Sequence, residues 1–128
     1  MKKKLTNAAA DLTLVALTEI AKSGADVPVR AGFRILQNIR ALEAVVGIYR
    51  SENDRIIRDA SGGRERLDKA QDPEAFERCQ KKLKELAGVE IEVEIAEIEA
   101  QDLEDVKLPM KSMFALQFIT TEKEENDG

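Results

Sequence analysis

Seven consecutive residues, Val89-Glu90-Ile91-Glu92-Val93-Glu94-Ile95, alternate β-branched and acidic side chains without a break. A period of two gives a strand one dry and one wet face. The remainder of the chain reads as helical, yet a strand cannot leave its peptide donors and acceptors unpaired, so a partner strand must exist. Lys2 to Thr6 is the internal candidate. Set antiparallel to the acidic segment, Lys4 and Thr6 would share the glutamate face while Leu5 pointed inward. The competing arrangement pairs either segment with a second copy or with another protein, since a two-stranded ribbon has two free edges.

The helices are marked by their ends and their periodicity. Asn7 is a suitable N-cap for a helix over about Ala8 to Lys22, with Leu12, Val15, Leu17, Ile20 and Ala21 as its apolar positions and Ser23-Gly24 as its stop. Pro28 suits the first turn of a second helix that runs to about Ala60. Along it Ile35, Leu42, Tyr49 and Ile56 recur every seven residues, interleaved with Ile39, Val46 and Asn53. This is a heptad seam that calls for another helix, and Asn53 is a polar position of the kind that fixes register. Ser61-Gly62-Gly63 and the polar stretch to Asp72 form a loop. Asp72-Pro73-Glu74 then starts a third helix, with Phe76, Cys79, Leu83 and Leu86 on one face and Gly88 at its end. The second and third helices are expected to form an antiparallel hairpin. Past the acidic strand, Gln101 to Asp105 is a polar connection, and Leu108-Pro109 opens a short helix through about Phe118. Met110, Met113, Phe114 and Leu116 to Ile119 give that helix more apolar surface than one stripe needs. The expected fold is mainly α with a minor two-stranded antiparallel sheet, as one domain over residues 1–120 with an acidic tail over 121–128.

The chemistry available is narrow. Among 128 residues there is no histidine and one cysteine, Cys79, so Ser-His and Cys-His nucleophile systems are excluded, as is an internal disulfide. Cys79 on an apolar helix face reads as a small buried hydrophobe. Ser61-Gly62-Gly63 lacks the Lys-Ser/Thr of a P-loop, and Asp102, Glu104 and Asp105 lack the glycine and terminal glutamate of a calcium loop. No enzyme, cofactor or metal site is expected. The apolar runs are all too short for a membrane span. The net charge of −5 conceals a division: up to Lys84 the chain carries +5, and from Glu85 onward −10. The two parts are expected to pack against each other. Arg30, Arg34, Arg40, Arg50, Arg55 and Arg58 decorate the long helix, but Glu43, Glu52, Asp54 and Asp59 interrupt them. The mixture reads as a salt-bridged solvent face, not as a continuous nucleic-acid footprint.

The Lys-rich start ending in Thr6-Asn7, Val27-Pro28-Val29, and Asn38-Ile39-Arg40-Ala41-Leu42-Glu43 resemble a family of small phage and prophage proteins without an assigned activity. Lys84-Glu85-Leu86, the Val89 to Ile95 strand, Asp102-Leu103-Glu104 and Leu108-Pro109 extend the resemblance over most of the chain. It carries over no functional residue. It implies a phage-encoded protein acting in the cytoplasm of an infected bacterium or in the virion. The first expectation is therefore a structural or assembly accessory that oligomerises, or docks on a phage or host protein, through Ile39, Leu42, Val46, Tyr49, Asn53, Met110, Met113 and Phe114. The alternative is an inhibitor of a host nucleic-acid-binding protein that uses Glu90, Glu92, Glu94, Asp102, Glu104 and Asp105 as an acidic decoy. The third is a nucleic-acid-binding helical hairpin led by Arg30 and Arg34.

Overall fold

The computed structural model describes residues 1–62, 72–117 and 119–121. In chain order they form β1 (Lys2–Thr6), α1 (Asn7–Ser23), α2 (Val29–Ser61), α3 (Pro73–Ala87), β2 (Glu90–Glu94), β3 (Ile98–Glu99), a 3-10 turn (Ala100–Leu103), α4 (Met110–Leu116) and β4 (Thr120–Thr121). The acidic strand finds its partner within the chain. β1 and β2 pair antiparallel, with Lys2 opposite Glu94, Lys4 opposite Glu92 and Thr6 opposite Glu90. Leu5 and Val93 are buried beneath them, as the alternation requires. Asn7 N–H donates to Val89 O, and Ile95 N–H to Met1 O. These bonds fix which residues face the partner, so the peptide groups of Lys2, Lys4, Glu90, Glu92 and Glu94 point to the outer edges.

Each helix boundary has a local cause. Thr6, not Asn7, caps α1: its hydroxyl accepts from Ala9 N–H, and Asn7 lies inside the helix with its amide donating to Leu86 O. Either residue type can cap, and the strand ending at Thr6 sets the choice by fixing extended backbone there. The buried stripe of α1 is Ala10, Thr13, Leu14, Ala16, Leu17 and Ile20. The expected Leu17 and Ile20 are in it, whereas Leu12, Val15 and Ala21 face outward. Pro28 precedes α2 as its cap residue. Gly62 closes α2 at φ 69°, a left-handed geometry that glycine adopts without a Cβ penalty. Asp72 accepts from Ala75 N–H and Pro73 opens α3, as read from the sequence. The polar loop over 63–71, Phe118 and the tail over 122–128 lie outside the described residues.

The core joins Leu5, Leu14, Leu17, Ile20, Ile35, Leu42, Val46, Val93, Ile95, Ile98, Leu116 and Ile119 in one cluster. Full burial of each side chain of this size contributes about 1.5–3 kcal/mol. The heptad seam of α2 is thus filled from within, against α1, α3 and β2. Ala75 and Cys79 of α3 are buried but stand outside that cluster, so the far end of the α2–α3 hairpin is an arm with its own smaller packing. Two features were not legible in advance. β3 and β4 pair in parallel, Ile98 with Thr120 and Glu99 with Thr121, so the backbone of Thr121 belongs to the fold and not to the tail. The crossover such a pairing needs is supplied by the 3-10 turn and α4, where the sequence suggested only a polar connection and a longer helix.

Candidate interaction surfaces

Three surfaces deserve comparison, beginning with the arginines of α2. Arg30 reaches Asp102 and Glu99, each at 3.3 Å, and Arg34 donates to Glu97 O at 3.1 Å. Arg50 pairs with Asp11 of α1, and Arg55 with Glu52 and Asp59 on its own helix. The hydrogen bonds that Arg30 donates to Asp102 raise its pKa, and those that Arg50 donates to Asp11 do the same. The hydrogen bonds from Arg55 hold the Glu52 carboxyl below the usual carboxylate range. These arginines are engaged by carboxylates and carbonyls of the chain itself.

The acidic surface is smaller than its sequence suggests. Glu90, Glu92 and Glu94 line the exposed side of β2. Lys2 and Lys4 stand opposite in register, yet among the described residues Glu90 and Glu92 form no ion pair, and Glu94 contacts the Met1 nitrogen at 2.9 Å. Glu104 and Asp105 are also exposed. Asp102 is not: its side chain is 6% exposed and turned into Arg30. The pairing to a residue 72 positions away removes it from any decoy surface. Among the described residues no group of three or more His, Cys, Asp or Glu side chains is arranged to hold a metal ion.

The expected apolar interface divides into two parts. Leu42 and Val46 are in the core, while Ile39, Tyr49 and Asn53 are half-buried on the same inner side of α2. A heptad seam shows that a helix packs there but not whose helix it is, and here the partners are intramolecular. The Asn53 Oδ1 atom is buried without a hydrogen-bond partner among the described residues. The α4 residues behave otherwise. Ser112, Ala115 and Leu116 are buried against α1, where Thr13 Oγ1 lies 3.2 Å from Ala115 O and Ser112 Oγ donates to Glu19 at 3.3 Å. That anchors one side of the helix and turns the other outward, leaving Met110, Met113 and Phe114 at 73%, 59% and 60% exposure.

A second apolar row, not anticipated from the sequence, lies on α2. Val29, Phe33 and Leu36 are 90%, 62% and 55% exposed. Their spacing of four and three puts them on one side of the helix, away from Ile35 and Leu42. The spacing is visible in the sequence, but the heptad positions beside it gave the stronger signal.

No protein-family model, no curated protein and no solved structure matches the chain.

Proposed function

We propose that the protein is a non-enzymatic interaction module, a phage-encoded structural or assembly accessory that docks on a protein partner through the outer side of α4. The phage assignment rests on the resemblance of its motifs. The docking assignment rests on one observation: Met110, Met113 and Phe114 project together from a helix whose other side is fixed to α1. Methionine and aromatic side chains are enriched where proteins meet, and the unbranched thioether adapts to an irregular partner surface. Burial of three such groups in a partner's pocket is of the order needed for an interface hot spot.

The test is affinity capture from infected cells and from disrupted virions, using the native chain, Met113→Glu and Phe114→Glu. A partner retained at high salt by the native chain and lost with both variants is the expected result. Capture unchanged by both variants would overturn the assignment to α4. A second reading is favoured by Glu90 and Glu92, which form no ion pair among the described residues, and by the outward-pointing peptide groups of β2: a basic extended segment could add there as a further strand. In that case capture would be salt-sensitive and abolished by reversing Glu90, Glu92 and Glu94 to lysine, while Phe114→Glu would leave it intact.

A further inference from the structure

The outer side of α2 is divided into halves of opposite shape. Along the centre of this face the first half carries the large side chains of Val29, Phe33 and Leu36, and the second carries Ala44, Gly47 and Ser51, all of them exposed, with Ile48, 69% exposed, about 100° round from Gly47 at the flank. At 3.6 residues per turn the central positions share the side of the helix opposite Ile35, Leu42 and Val46. A Cβ added at Gly47 would meet nothing within 4 Å. Between the halves stand Arg40 and Glu43, both exposed, and neither has a hydrogen bond or ion pair among the described residues. On the same helix Arg30, Arg50 and Arg55 each hold a carboxylate.

We infer that this face binds a second copy of the chain, with the two α2 helices antiparallel about a twofold axis passing midway between Arg40 and Glu43. Such an axis sets Arg40 of each copy opposite Glu43 of the other, so both unpaired charges find a partner. The same reversal sets Leu36 opposite Gly47, and Phe33 opposite Arg50, beside Ser51. Near the axis the large Leu36 meets the hollow at Gly47, and cations meet anions. A parallel arrangement in register would bring Arg40 against Arg40 and leave Gly47 facing Gly47, losing both complementarities. The contact from Phe33 to Ser51 spans about 27 Å of helix at about 1.5 Å per residue, or five turns. It is distinct from the α4 patch, and each can be tested while the other is kept.

The experiment is light scattering on the full chain, with circular dichroism to confirm helix content. The native protein is expected to be a dimer. Arg40→Glu and Glu43→Arg should each weaken it by about tenfold or more, because each sets like charges across the axis. The double variant should recover the native mass. An equimolar mixture of the two single variants should also dimerise, since all four charges in the mixed pair are then opposed; contact between copies by another face gives no such recovery. Gly47→Leu should separate the copies by filling the hollow. Should the reversals reduce helix content, Arg40→Gln and Glu43→Gln provide the same comparison without repulsion. A native chain that stays monomeric to about 1 mM, the concentration at which even a weak contact is half-formed, would overturn the inference. So would a dimer indifferent to these changes, or one that neither the double variant nor the mixture restores. Phe114→Glu should leave the dimer intact: partner capture that fails with a sound dimer counts against the α4 reading alone, and capture by a monomer counts against the dimer alone.

Discussion

Asn38 does more for this fold than its side-chain type announces. It is completely buried in α2, and its amide pairs with the Ala96 peptide twice, donating to Ala96 O at 2.8 Å and accepting from Ala96 N–H at 2.7 Å. The carboxamide thereby stands in for a neighbouring strand just where β2 ends and the chain turns toward β3. Asn38→Leu would keep the volume and leave both groups of the half-buried Ala96 peptide without their partner, at up to about 1–3 kcal/mol each. A loss of about 3 kcal/mol in urea denaturation is the expected outcome, and a loss below about 1 kcal/mol would show that the site can rearrange. Nothing in the sequence marks Asn38, because its partner is 58 residues distant and an asparagine inside a helix is ordinarily read as solvated. Asn53 is the converse. Its place in the heptad pattern was legible and so was its inward side, but not that its buried oxygen would lack a partner among the described residues.

At the level of elements, the sequence was most informative where a period runs for several repeats. The acidic alternation, the heptads of α2 and the Asp-Pro start of α3 each correspond to an element in the structure. The two-residue strands β3 and β4 carry no period, and only the burial of Ile98 and Ile119 shows what they bring together. The surfaces were harder to read, since periodicity identifies a packed side without saying which element packs on it. The hairpin arm gives a measurable consequence. Beyond Val46, α2 contributes no further apolar residue to the main core, and the arm depends on half-buried Tyr49, Ile56, Phe76 and Leu83 with buried Cys79. Amides of 50–60 and 76–83 are therefore expected to exchange by a partial opening of lower free energy than amides of Leu14 to Ile20; equal protection would show one cooperative unit. In the same arm Glu52 gives a titration marker. Its carboxyl is hydrogen-bonded to Arg55 and titrates below the ordinary 4.5. The pair's contribution is present above that value and disappears as the pH falls through the lowered one. Carboxyl NMR should find Glu52 titrating below Glu residues at their ordinary value, and Arg55→Gln should return it to the ordinary range.

For the whole molecule, the division of charge becomes a mutual embrace. Residues up to Lys84 carry the excess of positive charge and those from Glu85 the negative. The structure joins the two through Arg30 with Glu99 and Asp102, Arg34 with the Glu97 carbonyl, and the Lys2–Thr6 strand laid along the glutamates. Arg30 and the strand glutamates are exposed and Glu99 is partly so, and screening should weaken this part of the attraction. The melting temperature is expected to fall as sodium chloride rises through the range of physiological ionic strength; a rise would mean that repulsion within each part outweighs attraction between them. The pairing of β1 with β2 has a further bearing on how the chain is made. The closest residues in register, Thr6 and Glu90, are separated by more than eighty positions, and a ribosome adding 5–20 residues per second needs about 4–17 s to make the intervening chain. For that interval the lysine strand exists without its template. A strand made early thus gains its hydrogen bonds late, and the lysine segment waits on residues more than eighty positions downstream before it can fold.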